Sequence, residues 1–368
     1  MPISAVDTIT LAFQHTKRQL IQPFRFWQWT RLAAVGLLAG EAGSGGSFHF
    51  PSNFNVPQQS ESPRHFLAAA FPAIDPAILW TLITVLVVAG LVFAIVMMYV
   101  SSVMRFILFD SILARECHIR RGWTKRQIPG WNYFLWQICF TLVTLVVLII
   151  LLGIPAAIGL GMGWFHEPRQ HLLPLILGGV VLFFLLMIFF IVAAVIQVLT
   201  KDFAVPQMAL EGIGAVEAWR RLWPMIDAEK GGYAAYIGMK IVIAIGAGIV
   251  IGIASIILLL FVLIPIAGVW IAALVGGKAA GLTWNVFTIT VAVVAGCMML
   301  AVLFYLTALI SVPAIVFFPA YSIYFFAPRY RALSLVLYPP PPPPQPTSPP
   351  VTGGPPEAPP PPLLPEMA

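Results

Sequence analysis

The sequence predicts an all-α membrane protein with about six transmembrane helices in three two-span repeats, cytoplasmic elbow helices and a disordered proline-rich tail. Three observations predict it. Of 368 residues, 60% are apolar and 9% charged, with a mean hydropathy of +0.93, whereas a soluble domain carries about 25% charged residues. Several uncharged apolar runs reach the roughly 20 residues that a helix needs to cross about 30 Å of hydrocarbon. The basic residues, finally, gather in alternate connections between those runs. The same composition excludes a soluble globular enzyme, a disordered chain and a disulfide scaffold. Cys117, Cys139 and Cys297 form no CxxC pair. The net charge of +6 is spread over several loops rather than one patch, which argues against nucleic acid as a partner.

The chain reads as an amphipathic cytoplasmic segment at 1–26, a polytopic membrane domain at 27–338 and a tail at 339–368. The N-terminus is not a secretory signal, because Lys17, Arg18 and Arg25 accompany it and no cleavable apolar core follows Met1. Residues 4–21 instead fit a helix lying on a membrane surface, with Val6, Ile9, Phe13 and Leu20 as its apolar side. Four runs cross easily: 77–100, 133–160, 173–199 and 284–312. The run 233–275 is about 65 Å long as one helix at 1.5 Å per residue, too long for a single span. Pro265 divides it, giving a span at 234–261 and then a re-entrant or interfacial segment to Gly281, with two full spans as the alternative. The first candidate, 27–42, is short and holds Arg31 near its cytoplasmic end, from which it can snorkel outward.

With six spans and both termini inside, 17 of the 20 Lys and Arg residues are cytoplasmic, leaving only Arg64, Arg169 and Lys278 outside. Positive residues favour cytoplasmic loops, so this topology satisfies the rule well.

Two segments that follow even-numbered spans share a pattern. Asp110-Ser-Ile-Leu-Ala-Arg-Glu116-Cys-His-Ile-Arg120 aligns without gaps on Glu211-Gly-Ile-Gly-Ala-Val-Glu217-Ala-Trp219-Arg220-Arg221. The Glu precedes the Arg by four residues, the favourable orientation on a helix. In a degenerate third copy, Val312-Pro313 matches Val205-Pro206, while Phe318 and Tyr324 replace the acids. The Val-Pro steps are expected to end or kink their spans, since proline removes a donor and clashes with the preceding turn. Each elbow helix then follows the headgroups. It serves either as a platform for anionic lipid or a partner, or as a solvated connector.

Trp27-Gln-Trp-Thr-Arg-Leu-Ala ahead of Gly43-Ser-Gly-Gly-Ser, with Asp202-Phe-Ala-Val-Pro-Gln-Met-Ala-Leu-Glu-Gly and Ala218-Trp-Arg-Arg, resembles a group of uncharacterised prokaryotic multi-pass membrane proteins. The elbow segment is similar to one in the membrane domain that precedes some bacterial glycerophosphodiester phosphodiesterases. The resemblance covers roughly residues 5–335 and implies a fold and an address in the prokaryotic cytoplasmic membrane. It implies no reaction, because the catalytic barrel has no counterpart here.

Active-site patterns do not emerge. His166 and His171 are five apart around Pro168, whereas HExxH needs histidines four apart on one helix face. Gly43-Ser-Gly-Gly lacks the Lys-Ser/Thr of a phosphate loop, and no nucleophile elbow occurs. No cofactor or metal site and no enzyme activity are expected. In the external segment 41–76, Phe48, Phe50 and Phe54 form an aromatic group that either rests on the interface or meets an amphipathic ligand. Span centres carry no ionisable residue, which disfavours ion-coupled transport. Lys240 comes early in its span and can reach headgroups. In the fifth span, Ala244, Gly248 and Gly252 give a small-residue face suited to close packing within the bundle.

Sixteen of the last 30 residues are proline. Such a tail favours extended polyproline II at about 3.1 Å per residue, and it either presents ligands to an aromatic groove of a cytoplasmic or membrane protein or acts as a solubilising extension. The expected partners are therefore the lipid bilayer and a protein reached through the tail. The expected role is a membrane scaffold or accessory subunit, with a transporter or lipid-handling protein for a neutral or amphipathic substrate as the alternative.

Overall fold

The computed structural model of the chain describes residues 4–22, 24–41, 76–164, 170–279 and 286–339. Phe48, Phe50, Phe54 and the tail beyond residue 339 lie outside the described residues. Ten α-helices follow in order among those described: α1 (Asp7–Leu20), α2 (Phe26–Leu38), α3 (Pro76–Ala114), α4 (Ile119–Gly161), α5 (Leu172–Leu199), α6 (Val205–Glu211), α7 (Ala215–Ala228), α8 (Lys230–Ala279), α9 (Val286–Phe326) and α10 (Arg331–Leu337). A π-helical turn, Thr200–Ala204, joins α5 to α6, and a 3₁₀ turn, Ala327–Arg329, follows α9. There is no strand among the described residues, so the chain is an all-α protein.

Five helices are long and apolar enough to cross a membrane: Ile78–Ala114, Ile119–Gly161, Leu172–Glu211, Lys230–Ile266 and Thr290–Arg329. The expected sixth span, 27–42, differs. It forms the 13-residue α2, about 20 Å long at 1.5 Å per residue, and it buries Leu32, Ala33, Val35 and Gly36. A Cβ added at Gly36 would meet Ile315 Cγ2 of α9 at 2.2 Å, so this face of α2 packs closely on α9, while Phe26 and Trp27 at its start are exposed.

The five long helices each have two unlike halves. Their most apolar stretches bury no residue in four cases and 6% in the fifth. Such surface is tolerated only in an apolar solvent, so these halves are the lipid-facing part of an integral membrane protein. The opposite halves converge with α1, α2, α6, α7 and α10 into one packed head. Its fully buried rings include Phe106, Tyr133, Phe203, Tyr233, Tyr236, Tyr321, Phe325 and Phe326. Burying one large apolar side chain contributes about 1.5–3 kcal/mol, so these rings anchor the head. The 17 basic residues other than Arg64, Arg169 and Lys278 all belong to the segments that build it.

Helix crossings in the head use glycine where backbones approach. Gly130 of α4 sits against Val103 of α3, where an added Cβ would come within 2.7 Å of Val103 Cγ2. The expected small-residue face of the fifth span behaves otherwise, because an added Cβ at Gly252 meets nothing within 4 Å. That half of α8 belongs to the exposed, lipid-facing part.

Prolines depart most from expectation. Pro313 and Pro319 lie inside α9, and Pro265 lies inside α8, which runs unbroken for 50 residues to Ala279. At 1.5 Å per residue it is about 75 Å long, with no re-entrant break at Pro265. Apolar helices absorb proline because local backbone adjustment re-satisfies the freed carbonyls. Pro206 shows one such adjustment: the widened turn at Thr200–Ala204 lies directly before it, and the Val205 N–H donates five residues back to the Thr200 carbonyl. The sharp corners fall elsewhere. Gly212 adopts φ +69° after α6, and Arg115 adopts φ +56° between α3 and α4. A left-handed backbone favours glycine, so Arg115 is the costlier corner.

Helix α1 forms over nearly the predicted residues but turns another face inward. Thr8, Ala12, His15, Thr16, Gln19 and Leu20 are buried, while Val6 and Phe13 are exposed. His15 Nδ1 lies 3.0 Å from the Tyr324 hydroxyl, the Tyr321 hydroxyl donates to the Ala5 carbonyl at 3.1 Å, and Gln19 Nε2 donates to the Ser111 carbonyl at 3.1 Å.

Candidate functional site: a polar centre inside the head

The expected elbow residues divide into two fates. In the first copy, Asp110 lies within α3, Glu116 falls in the corner after it, and Arg120 belongs to α4. The helix breaks between Glu116 and Arg120, so their spacing of four residues makes no pair. Asp110 instead accepts both Arg126 Nε at 2.7 Å and a terminal nitrogen of Arg126 at 2.6 Å. The other terminal nitrogen donates to the Ala209 carbonyl at 2.6 Å, tying α3, α4 and α6 together. In the second copy the pairing forms as expected on α7. Arg221 Nε donates to Glu217 at 3.1 Å and Arg220 Nε lies 3.3 Å from the same carboxylate. Glu211, the last residue of α6, accepts from Arg221 and from the Tyr330 hydroxyl. Burial, then the Glu211 carboxylate, push the Tyr330 phenol above its usual range. Trp219 Nε1 donates to Thr200 Oγ1 at 3.0 Å, so α7 reads the π turn directly.

A further clamp joins distant segments. Glu229 accepts Arg329 through two bonds of 2.8 Å, and the Arg329 guanidinium lies 3.9 Å from the Phe325 ring centroid. Hydrogen bonding from Arg329 holds the Glu229 carboxyl below its usual range.

Sequence reasoning missed the polar centre itself. Glu41, Arg105, Lys201, Asp202 and Lys240 gather from α3, the π turn, α8 and the residues just past α2. Lys201 Nζ lies 2.6 Å from Glu41 Oε1, and Arg105 Nε lies 4.0 Å from the same oxygen. Lys240 pairs with Asp202, which also accepts the Tyr236 hydroxyl at 2.9 Å. Arg105 donates further to the Tyr133 hydroxyl and, at 2.8 Å, to the Ala39 carbonyl. All five charged side chains are at least four-fifths buried. Isolated charges there would cost several kcal/mol each, so the pairing is a condition of burial.

The π turn carries two of these charges. Lys201 and Asp202 are adjacent, and adjacent helical residues do not face each other. Each therefore takes a partner from a different element, Glu41 on one side and Lys240 on the other. Phe203, next in line, packs against Tyr233, Tyr236, Phe325 and Phe326 with ring centroids 5.0–5.9 Å apart. Tyr236 and Tyr321 stack at 5.0 Å beside it. Single π turns inside α-helices recur at functional sites.

One signal in the sequence could have found this centre. Arg105 follows the uncharged stretch 76–104, Lys201 follows 172–200, and Lys240 precedes 241–277. The first charge met at the head end of these three runs is thus a member of the network, whereas at α4 and α9 it is Arg126 and Arg329, which pair elsewhere. Among the described residues, no group of three or more His, Cys, Asp or Glu side chains is placed to hold a metal ion.

Among known proteins, a family of unknown function, DUF7544, matches residues 3–336. No curated protein and no solved structure matches.

Proposed function

Since the chain belongs to the DUF7544 family of unknown function, we propose from its geometry that it is a membrane scaffold or accessory subunit whose head is the contact surface. One observation carries this reading. Helix α7 docks through Ala215, Ala218 and Leu222, and turns a second stripe outward. Val216, Arg220 and Trp223 on that stripe are 72%, 80% and 65% exposed. Their spacing of four and three residues aligns them on one helix side. Interface centres favour tryptophan and arginine, so the stripe has the composition of a contact anchor. The neighbouring pairs Glu211–Arg221 and Glu217–Arg221 hold α7 rigid beneath it. The basic character of the head supports a cytoplasmic side of the membrane for it and for both termini. The tail beyond Tyr338 would then extend the same surface.

Quantitative affinity purification from native membranes tests the proposal, using the full chain, a chain ending at Tyr338 and the variant V216A/R220A/W223A. A stoichiometric partner retained by the first and lost by one of the others locates the surface. If no form retains any stoichiometric protein, the scaffold reading fails. The second reading, handling of a neutral or amphipathic substrate, is favoured by the uncharged outer halves of the five long helices. It requires substrate-dependent flux in proteoliposomes.

A further inference from the structure

On the surface of the head, between α2 and the start of α4, lies an open pocket of about 590 Å³ lined by Arg31, His118, Ile119, Arg120, Arg121 and Thr124. Among the described residues that line it, three of six are arginines and none is a carboxylate. Eight basic residues elsewhere in the head are paired. Arg105, Arg126, Lys201, Arg220, Arg221, Lys230, Lys240 and Arg329 each lie within 4.0 Å of a carboxylate. Arg31, Arg120 and Arg121 have no such partner among the described residues; Arg31 reaches only the Cys117 carbonyl, at 3.4 Å.

We propose that this pocket binds a phosphate ester. Guanidinium groups offer planar, forked donors that match phosphate oxygens in pairs, and they keep their charge at any physiological pH. Three of them line one open concavity, where their positive fields add on an anion placed there. Thr124 adds a hydroxyl, and Ile119 adds an apolar patch for the carbon body that carries the phosphate. The volume is several times that of a bare phosphate and lies within the range of small-ligand sites. Because Arg31 belongs to α2 while the others start α4, an occupant would bridge the short helix to a membrane-crossing one. The site rests on its own residues and does not depend on the scaffold reading.

The shared chemistry admits two sources, a phospholipid headgroup or a soluble phosphate ester, and two probes separate them. Full-length protein in neutral detergent is titrated with phosphatidylglycerol against phosphatidylcholine by native mass spectrometry, and with glycerol 3-phosphate by calorimetry. Saturable binding of phosphatidylglycerol alone identifies a headgroup site, and saturable binding of glycerol 3-phosphate identifies a soluble ligand. In either case R120Q/R121Q, and separately R31Q, are expected to weaken binding at least tenfold. The variant K17Q/R18Q removes two head charges outside the pocket and should leave binding within twofold. All these positions are exposed, and an unchanged melting temperature for each variant excludes misfolding. The proposal is overturned if neither probe binds saturably, or if K17Q/R18Q weakens binding as much as R120Q/R121Q.

Discussion

Replacing Asp202 with Asn tests the polar centre most sharply. Three cations, Arg105, Lys201 and Lys240, face two carboxylates, Glu41 and Asp202, all largely buried. Asp202→Asn leaves three positive charges against one negative charge and strips Lys240 of its partner. Two unit charges about 4 Å apart at an effective dielectric near 20 interact by roughly 4 kcal/mol. Leaving a buried charge uncompensated typically costs about 3–5 kcal/mol. The Tyr236 hydroxyl can still donate to the Asn carbonyl, so little of the loss comes from that bond. The expected destabilisation is therefore about 3 kcal/mol or more. Lys240→Met should cost less, because the remaining network has two charges of each sign and Asp202 keeps Tyr236. The pair D202L/K240M should recover most of the single loss, since apolar replacement of a buried ion pair is often nearly neutral. Reversible denaturation in mixed micelles, followed by tryptophan fluorescence, gives the three differences and their coupling energy. If D202N costs under about 1 kcal/mol, or K240M costs as much as D202N, the network does not hold the head together as argued.

The other predictions concern packing and titration. Gly36→Ala should destabilise by about 1–3 kcal/mol, because its Cβ would enter the space of Ile315; Ile315→Ala in the same chain should return part of the loss. Because Arg329 depresses the Glu229 carboxyl, its contribution is complete above the ordinary value of 4.5 and is lost as pH falls from there through the lower folded value. Melting temperature should accordingly drop across that acid window in the wild type, with a shallower drop in Glu229→Gln. Burial, then the positive charge of Arg115, lower the His15 imidazole, so its contribution is present above 6.5 and fades as pH falls below it; His15→Gln should remove that slope from the melting profile.

Much of the architecture was legible because lipid leaves a plain mark on composition. Long uncharged runs gave the helices, and a four-residue Glu–Arg spacing gave the pairing on α7. The same spacing failed at Glu116 and Arg120, because Arg115 turns the chain in a left-handed conformation that no glycine announces. Proline misled at one point: Pro265 interrupts a ladder of hydrogen bonds in principle, yet α8 continues through it. For α1, the reading assumed that an apolar face seeks the membrane and a polar face seeks water. The polar face departs from this, since the head's interior offers the hydroxyls of Tyr321 and Tyr324 and the carbonyl of Ser111. Thr8, His15 and Gln19 therefore turn inward, while Val6 and Phe13 remain outside. Glu41 was out of reach for another reason: its partners lie in α3 and the π turn, and nothing local relates them.

The position of the charges also bears on what the long helices can do. An ion-coupled carrier needs an ionisable group that changes partners partway across the hydrocarbon. Here Arg105, Lys201 and Lys240 each border an uncharged run at its head end, and each carboxylate has a basic partner in the packed state. The pairs therefore act as a depth register. Lys201 of the α5–α6 rod is fixed to the end of α2 through Glu41, and Asp202 is fixed to α8 through Lys240. Sliding any of these helices by one turn would displace it about 5.4 Å and separate both members of a pair now within hydrogen-bonding distance. The arrangement fixes the depth of these helices relative to one another. A bundle whose outer halves touch little but lipid needs such a control, because apolar surface alone sets no register between one helix and the next.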